Sequence, residues 1–404
     1  MITVIGLGAH PLSERARKAL RGAATVAGGR RHLDAVAGLL PLAARRIELG
    51  GDLRPALDAV AVAGDVGPVV VLASGDPGFF GILRVLTERF ELGAVEVIPA
   101  LSSVASAFAH VPTSWDDALV VSAHGRDPAA ALNCCRRLAK VAVLTSPAFG
   151  PAALGAALAG LDRLLVVVEA IGSPAERVTT GTPAVIAEGE FRESNVVLCL
   201  NPQAAPAGKG VQWPPRATAT RWALPDDDFE HRDAMVTKAE VRALALAWLG
   251  PGVGDLVWDI GAGSGSVAIE AARLGAAVIA VEPDVEQCAR IRRNAARHGV
   301  PVEVVQGSAP DALRWLPTPD AVFVGGGGAA LVDIISEAAG RQPRVVVVAL
   351  ATVERVGPVR QALAEAGMFV EGVQLSAARL APLGTGTRLA GANPVFLVSG
   401  RGRP

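Results

Sequence analysis

Short runs of Val, Ile and Leu alternate with longer Ala-rich segments along the first half of the chain. The runs read ITVIGLG, PVVVLASG, VEVIPA, ALVVSA, VAVLTS, LLVVVEAIG and NVVLCL. Continuous apolar runs of this kind are typical of strands that are covered on both faces. FRESNVVLCL follows ERVTTGTPAVIAEGE closely enough to predict a hairpin-like pair. The first half is therefore predicted to be α/β, with two lobes that meet near Pro112–Asp117.

A second alternation, with firmer spacing, follows after residue 236. The pattern predicts helices over residues 237–249, 266–274, 284–298, 329–339 and 353–366. The strands between and after them read DLVWDIG, AVIAVEP, VEVVQGSA, AVFVGGG, RVVVVAL and FLVSG. Successive β-α-β units form an open, mostly parallel sheet that binds ligands at the carboxyl ends of its strands. The second half is therefore predicted to be Rossmann-like.

The two regions are separated by residues 201–229, where Pro, Ala, Gly and polar residues replace the apolar periodicity. A length of 404 residues also exceeds the usual size of one domain. We predict an N-terminal domain over residues 1–200, with lobes of about 1–112 and 113–200. A linker over 201–225 and a C-terminal domain over 226–404 complete the predicted organisation.

Composition and charge narrow the classes of function. The chain has 51% hydrophobic and 19% charged residues, which is typical of a well-buried α/β protein. A formal net charge of −1 provides no global field that would attract nucleic acid or an anionic membrane. No apolar run approaches the roughly 18 residues that span a bilayer, and MITVIGLG lacks the features of a signal peptide. We therefore expect a cytoplasmic protein without a nucleic-acid or membrane partner.

The four cysteines give no sign of a metal site. The sequence contains no Cys-x-x-Cys pair and no His at metal-ligand spacing, which predicts neither bound zinc nor a disulfide framework.

The strand DLVWDIG runs into a glycine loop. Gly261, Gly263 and Gly265 permit a tight turn and a close backbone approach, and they leave helix N–H groups exposed. Their G-x-G-x-G spacing, with Asp259 before them and Glu282 at the end of the next strand, is the pattern of S-adenosylmethionine methyltransferases. Glu282 is placed to accept hydrogen bonds from ribose hydroxyls. A dinucleotide fingerprint would read G-x-G-x-x-G, but NAD binding and a purely structural turn stay open.

The next two strand ends bear on the substrate. Gly307, Ser308 and Ala309 are placed to flank an adenine, and the strand after them ends in VFVGGGG. This strand lacks the Asn/Asp-Pro-Pro-Tyr/Phe of amide and exocyclic nitrogen methylases and the Pro-Cys of cytosine-carbon methylases. Its four glycines leave room for a bulky, flat substrate, although a flexible turn is an alternative.

The stretch SGDPGFFG ends a strand of the first half. It is neither a P-loop nor a dinucleotide loop, and its Gly-Asp-Pro turn presents a carboxylate and free backbone groups suited to a cationic or hydroxyl-rich ligand. A plain turn is the alternative. Together with TVIGLGAHPLSERARKAL and VIPALSSVASAFAHVPTSWDDALVVSAHGR, it resembles the tetrapyrrole methylases of cobalamin biosynthesis, which bind S-adenosylmethionine between two α/β lobes.

The second half is similar to the partner methylase that also decarboxylates. The similarity rests on MVTKAEVRALAL, VWDIGAGSGSVAIEAA, VQGSAPDAL, DAVFVGGGG and LGTGTRLAGANPVFLV. The resemblance implies one S-adenosylmethionine per domain. In the first domain it implies contacts at Ala9, Ser74, Gly75, Asp76, Phe79, Ser102 and Ser103. In the second it implies contacts at Thr237, Gly261, Ala262, Gly263, Ser264, Gly265, Glu282 and Ala309.

The first domain departs from the family pattern in two places. Its first loop reads GLGAHPLSER, where the family has G-x-G-P-G followed by Leu-Thr. Pro99 and Ala100 stand where Pro-Gly usually precedes the paired serines.

The resemblance also implies a substrate, a metal-free precorrin that carries several carboxylates. It is methylated at carbons 5 and 15 and loses carbon dioxide from the ring C acetate. Because such a ring is electron-rich, the protein has mainly to align it with the methyl donor, and the sequence contains no Ser-His-Asp or Cys-His arrangement. The candidates for a general acid are Glu240, Asp311 and His231, each with a solvated surface or capping residue as the alternative.

Substrate carboxylates call for basic side chains. Lys238 and Arg242 lie four residues apart on one predicted helix face. The candidates are Arg126, Lys238, Arg242, Arg379 and Arg388, each with a solvated surface charge as the alternative. We expect a homo-oligomer, since relatives assemble. Two competing hypotheses are an enzyme with only its C-terminal domain active and a nucleotide-binding regulator without turnover.

Overall fold

The computed structural model describes residues 1–8, 11–50, 52–111, 113–123, 127–202, 222–232 and 236–402. The chain divides into two compact units: Met1–Pro128 with Lys140–Ala205, and Ala129–Ala139 with Pro206–Pro404. The domain limits that composition predicts at residues 200 and 226 stay a prediction, because most of the segment between them lies outside the described residues.

The first sheet is wholly parallel. Its elements are β1 (Ile2–Leu7), α1 (Glu14–Arg21), β2 (Thr25–Gly28), α2 (Arg30–Ala35), β3 (Arg45–Glu48), α3 (Arg54–Val66), β4 (Val69–Ser74), α4 (Leu83–Thr87), β5 (Val95–Ile98) and α5 (Ser103–Ala109). The strand order is β3-β2-β4-β1-β5. All five strands therefore end at the same edge.

A second five-stranded sheet follows. Its elements in chain order are β6 (Leu119–Ser122), β7 (Lys140–Leu144), α7 (Pro151–Ala157), β8 (Leu164–Glu169), β9 (Arg177–Gly181), α8 (Pro183–Ala187) and β10 (Asn195–Leu200). The helix α6 (Ala129–Arg137) lies between β6 and β7 along the chain and belongs to the second compact unit. The order is β6-β7-β10-β8-β9, and only β6 and β7 pair in parallel. The predicted hairpin between β9 and β10 is wrong: β8 lies between them, because it pairs with both.

The C-terminal elements form a seven-stranded sheet and a separate hairpin. They are α9 (Ala239–Leu249), β11 (Leu256–Ile260), α10 (Ser266–Arg273), β12 (Ala277–Glu282), α11 (Val285–Arg297), β13 (Glu303–Gln306), β14 (Ala321–Val324), α12 (Leu331–Gly340), β15 (Val345–Leu350), α13 (Val356–Glu365), β16 (Phe369–Leu375), β17 (Ala378–Leu383), β18 (Gly386–Gly391) and β19 (Val395–Arg401). The order is β13-β12-β11-β14-β15-β19-β16, with β17 paired only to β18. The strand β19 is antiparallel to the other six strands of the large sheet, which all run in one direction.

The predicted fold class is confirmed, with two α/β lobes and an open, mostly parallel sheet. The predicted C-terminal helices agree with the observed ones to within three residues. Five strands that the pattern did not predict are β2, β3, β16, β17 and β18. These strands are short or largely exposed, as in β3, where only Ile47 is buried, so they lack the continuous apolar run of a strand covered on both faces.

Both faces of β11, β12, β14 and β15 are buried beneath helices. This packing holds the carboxyl ends of these strands rigidly at one edge of the large sheet. Within the described part of the chain, none of the helices has the length and apolar character needed to cross a bilayer.

Candidate functional site

A cavity of about 1010 Å³ opens at the carboxyl ends of the parallel strands β11, β12, β13 and β14. Its wall is made by the glycine loop after β11, by Glu282 at the end of β12 and by Gly307–Ala309 after β13. The glycines Gly325–Gly328 after β14 also line it. Ligands of open α/β sheets bind at this edge, and the volume is at the upper end of the range for small-molecule sites.

The glycine loop has its shape for two steric reasons. Gly261 has φ +68°, and a Cβ added there would lie 2.9 Å from the backbone nitrogen of Gly326. Gly263 has φ +55° but faces open space. A Cβ on Gly265 would meet Ile291 at 2.9 Å, and Gly265 does not line the cavity. Gly261 and Gly263 therefore shape the cavity, whereas Gly265 permits α10 to pack against α11.

Glu282 is held by the loop that it faces. Its Oε2 accepts a hydrogen bond from the Gly263 amide at 2.8 Å, and its Oε1 accepts one from the Asp284 amide at 3.1 Å. The side chain lines the cavity. Because each carboxylate oxygen has two lone pairs, this anchored group can still accept hydrogen bonds from ligand hydroxyls.

Asp259 is the second carboxylate of the cavity wall and is only 1% exposed. Its Oδ2 accepts a hydrogen bond from the Ala268 amide at 2.9 Å, whereas Oδ1 is buried without a partner. Burial raises the pKa of this carboxyl group to about 7, and the negative charge of Glu282 adds to the rise. An unpaired buried oxygen beside the glycine loop suits a cationic ligand. The sequence pattern places Asp259 before the loop but assigns it no ligand contact.

The cavity brings most of the predicted second-domain contacts together. Thr237, Gly261, Ala262, Gly263, Ser264, Glu282 and Ala309 all line it. The general-acid candidates do not. Glu240 is paired with Arg379, Asp311 is paired with Arg314 at the surface, and His231 is absent from the described cavity wall.

Arg242 was wrongly predicted to bind substrate. Its side chain is 0% exposed, and its guanidinium group donates hydrogen bonds to the Glu270 carboxylate and to the backbone oxygens of Leu224 and Thr237. Lys238, the N-cap residue of α9, and Arg242, within the helix, therefore lie in different environments. Spacing could not reveal this, because the partner Glu270 lies on another helix.

The other predicted cations fall in different places. Lys238 lines the cavity, with its Nζ 3.7 Å from a carboxylate oxygen of Asp226. Arg379 does not line it, because its guanidinium group is paired with Asp226 and Glu240 at 2.9 Å each. Arg388 lies on the exposed strand β18. Arg126 lies outside the described residues.

Sequence analysis missed one cation of the cavity wall, Arg232. Its guanidinium group lies 3.8 Å from a carboxylate oxygen of Asp284. Arg232 follows the predicted linker closely and precedes every predicted helix of the second domain, so no periodic pattern placed it.

In the first unit, the loops after β1, β4 and β5 converge at the common strand edge. The Gly75 amide donates a hydrogen bond to the Leu7 oxygen at 2.6 Å. A Cβ added to Gly6 would lie 2.0 Å from the Gly75 oxygen and 2.6 Å from the Ala100 nitrogen. Gly75 has φ +58° and packs against residues 101–103. The predicted contacts at Ser74, Gly75, Ser102 and Ser103 are thus neighbours.

Side-chain roles at this edge are partly set by the turn itself. The Asp76 Oδ1 accepts a hydrogen bond from the Gly78 amide at 2.8 Å, which fixes the Gly-Asp-Pro-Gly turn. Phe79 is 37% exposed and makes an edge-on contact with Phe80. The Ser102 hydroxyl caps α5 by accepting a hydrogen bond from the Ala105 amide at 3.1 Å. Ala9, predicted to contact the cofactor, lies outside the described residues.

Two further side chains meet Ser74 that sequence analysis did not select. Arg31 and His32, at the start of α2, each lie 2.9 Å from the Ser74 hydroxyl. The sequence signal was GGRRHL, but it was not placed because the short strand β2 before it was not predicted.

Comparison with known proteins finds a family match in each half of the chain. Residues 1–186 match the family model of tetrapyrrole (corrin/porphyrin) methylases, and residues 227–400 match that of the precorrin methyltransferase domain. The chain is 41% identical over 348 residues to precorrin-6Y C(5,15)-methyltransferase [decarboxylating] from Sinorhizobium sp, which covers 84% of this chain and 81% of the relative.

Two shorter relatives match about half of the chain. A probable cobalt-precorrin-6B C(15)-methyltransferase (decarboxylating) from Pyrobaculum calidifontis is 39% identical, over 44% of this chain and 94% of the relative. The crystal structure of precorrin-6Y C5,15-methyltransferase from Geobacter metallireducens is 31% identical, over 45% of this chain and 97% of that chain, with a TM-score of 0.43.

Proposed function

The chain belongs to the family of precorrin-6Y C(5,15)-methyltransferases (decarboxylating), and we propose that its two methyl transfers occur at separate sites, one in each domain. It is a methyltransferase of cobalamin biosynthesis that methylates a precorrin at carbons 5 and 15 and decarboxylates it. The methyl donor is S-adenosylmethionine, which supplies a methyl group activated by the sulfonium charge. Each domain, in this proposal, binds one molecule of the donor.

The cavity of the second domain is the observation that carries the proposal. Gly261, Gly263 and the segment Gly307–Ala309 give the donor a close backbone approach, and Glu282 accepts hydrogen bonds from its ribose. The unpaired Oδ1 of Asp259 offers a negative partner to its cationic end. These residues hold and orient the donor, which is the main contribution that an electron-rich substrate requires.

The substrate is proposed to enter the same cavity beside the donor. The glycines Gly325–Gly328 leave space for a flat macrocycle. A substrate that loses carbon dioxide carries at least one carboxylate, and Arg232 and Lys238 line the cavity where they can bind such groups. Since the second half resembles a decarboxylating methylase, and the Pyrobaculum relative joins decarboxylation to carbon 15 in its name, we assign both reactions to this domain.

The first domain is then assigned methylation at carbon 5. The support is the convergence of the Ser74–Asp76 turn with residues 101–103 at the carboxyl edge of a parallel sheet. The half-exposed Asp76 carboxylate is proposed to bind the cationic donor there. We also propose a cytoplasmic homo-oligomer, for which the exposed leucines of the β17–β18 hairpin are a candidate surface.

One pair of variants tests the division of the two sites. Asp76→Ala is expected to abolish methylation at carbon 5 alone. Gly263→Arg fills the second cavity and is expected to abolish methylation at carbon 15 together with decarboxylation. The measurement is the mass of the product formed from labelled donor and precorrin, with calorimetry expected to count two donors per wild-type chain and one per variant.

Matched controls separate site loss from general damage. Gly299 also has a positive φ, +64°, and faces open space, so Gly299→Arg introduces the same charge and strain outside the cavity. Asp65→Ala removes an exposed carboxylate from α3. Both controls are expected to make the doubly methylated, decarboxylated product. If Asp76→Ala or Gly263→Arg stopped every reaction in a folded protein, the separate-site proposal would be wrong.

A further inference from the structure

The residues after β2 lie beside the end of β4 because the two strands are parallel neighbours. Residues Thr25–Ala27 pair with Val69–Val71. The strand β2 ends at Gly28 and α2 begins at Arg30, while β4 ends at Ser74, which opens the Gly-Asp-Pro-Gly turn. The first turn of α2 therefore meets the loop that we propose holds the methyl donor of the first domain.

A hydrogen-bonded cluster occupies this place. The Ser74 hydroxyl lies 2.9 Å from His32 Nε2 and accepts a hydrogen bond from Arg31 Nη2, also at 2.9 Å. Arg31 Nη1 donates to the Ser194 hydroxyl at 3.4 Å, and Arg31 Nε donates to His32 Nε2 at 3.5 Å. Arg31 thus fixes the serine and the imidazole together.

The shortest contacts of the cluster are satisfied when Nε2 of His32 is the acceptor. The Ser74 oxygen accepts a hydrogen bond from Arg31 Nη2, so its own proton is free to be donated to His32 Nε2 at 2.9 Å. The proton of the neutral ring then lies on Nδ1, which is buried without a partner. Burial, and after it the positive charge of Arg31, lowers the pKa of His32 below its ordinary value. The lone pair of Nε2 therefore faces the Ser74 hydroxyl near neutral pH.

We propose that His32 accepts, through the Ser74 hydroxyl, the proton released when the first domain methylates its substrate. The inference rests on the proposed function of this domain. Transfer of a methyl group from a sulfonium to a C–H carbon forms a C–C bond and breaks the C–S bond, whose electron pair stays on sulfur. One proton must then leave the methylated ring system. Ser74 takes that proton and passes its own to Nε2, which becomes an imidazolium.

The electrostatic surroundings are consistent with a base that is neutral before the reaction. The helix α2 packs on β2, β3 and β4. The sequences of β2 and β4 contain no charged residue. The strand β3 contributes Arg45, Arg46 and Glu48, and the Glu48 carboxylate is paired with Arg30 at 3.3 Å. On α2 itself the remaining charged groups are Arg31 and Asp34. No described carboxylate is paired with His32 to hold it protonated.

The test uses the full chain with Gly263→Arg, which leaves only the first-domain reaction to be measured. Adding His32→Gln is expected to lower the single-turnover rate of methylation by about 10²-fold or more. In the Gly263→Arg protein that keeps His32, the rate of methylation should fall tenfold per pH unit below the His32 pKa, because protonation removes the base. With His32→Gln this acidic limb should disappear, while the dissociation constant for S-adenosylhomocysteine stays unchanged.

A second readout does not depend on turnover. The chain has six histidines, so the Cε1–H resonance of His32 can be assigned by its absence in His32→Gln. Its NMR titration should give the pKa that appears in the rate profile. Ser74→Ala should lower the rate and leave His32 titrating. A relay through Ser74 and His32 requires that the NMR pKa match the pKa in the rate profile and that Ser74→Ala lower the rate.

The matched control is His110→Gln, which removes the histidine that is paired with Glu176 at 3.0 Å in the same unit. It is expected to keep the rate and the acidic limb. The proposal is overturned if His32→Gln keeps both, or if it lowers the rate while leaving the acidic limb in place. Binding of only one S-adenosylhomocysteine per wild-type chain would instead refute the two-site function on which the proposal rests.

Discussion

At the scale of single residues, burial gives two carboxylates of one cavity different properties. Glu282 is held by two backbone amides at the end of β12. Asp259 has one amide partner and one unpaired oxygen, and it lies almost wholly out of solvent. An unpaired buried carboxylate is costly when it is ionised. Asp259 therefore couples the stability of the second domain to pH.

The stability of the donor-free protein should report this coupling. The pKa of Asp259 in the folded state, about 7, lies above its ordinary value, so between about pH 4 and pH 7 the folded state binds more protons than the unfolded state. Each pH unit of rise in that window then costs up to about 1.4 kcal/mol of unfolding free energy. Asp259→Asn removes the charge, so in urea unfolding its stability relative to wild type should rise from pH 5 to pH 8. A difference independent of pH would contradict this assignment.

The glycines of the cavity allow a comparison of steric demands. Gly261→Ala places a Cβ 2.9 Å from the Gly326 nitrogen at a positive φ and is expected to cost about 1–3 kcal/mol. Gly326→Ala meets no atom within 4 Å, and its effect should stay within about 0.5 kcal/mol. Chemical denaturation of both variants is the measurement. Equal losses of unfolding free energy in the two variants would show that the close approach of Gly261 to Gly326 is not the reason for a glycine at position 261.

At the scale of elements, a buried ion pair joins the segment before α9 to two helices. Arg242 on α9 and Glu270 on α10 are both fully buried, and Glu270 also accepts hydrogen bonds from the Ala223 and Leu224 amides. Arg242 further holds the backbone oxygen of Thr237, which lines the cavity. The network therefore positions one wall of the cavity without touching the ligand space.

Replacing Arg242 should leave the buried Glu270 carboxylate without a positively charged partner. Arg242→Met leaves Glu270 without its cation and is expected to cost about 3–5 kcal/mol. It should also weaken binding of S-adenosylhomocysteine in the second domain, because Thr237 loses its anchor. The control is Arg314→Met at an exposed ion pair with Asp311, which should cost less than about 1 kcal/mol. A loss as small as that of the control would contradict the structural role of Arg242.

At the scale of the whole molecule, two unrelated sheet topologies carry the two proposed donor sites. The first domain uses the order β3-β2-β4-β1-β5, and the second uses β13-β12-β11-β14-β15-β19-β16. In both, the site lies where parallel strands end. In this proposal each methyl transfer has its own wall of side chains, which suits a substrate that is methylated at two positions.

Limited proteolysis tests the predicted domain limits. The chain has 38 basic residues, and three of them, Lys209, Arg216 and Arg221, fall in the predicted linker 201–225. Because the composition of this segment is that of a linker, trypsin is expected to cut there first and release two fragments of about half the chain each. Replacing the three residues by Gln should slow that cut. A first cut within residues 1–200 would refute the predicted limit.

The sequence by itself determined the fold class, the second-domain glycine loop and Glu282. These features follow from local pattern, since a buried strand, a turn that requires glycine and a helix start are neighbours along the chain. The resemblance that runs through both halves supplied the substrate and the first-domain loop. The short or exposed strands β2, β3 and β16–β18 are not predicted from the sequence, because they lack a continuous run of apolar residues.

Only the tertiary structure decided which charged residues face the cavity. Lys238 immediately precedes α9 and Arg242 lies in its first turns, yet Arg242 pairs with Glu270 inside the protein and Lys238 lines the cavity. Arg232 lines the cavity from the segment before α9, and Arg31 and His32 meet Ser74 because the parallel neighbours β2 and β4 end at the same edge. Charge, burial and protonation depend on partners that the fold brings together, and these partners are not periodic in the sequence.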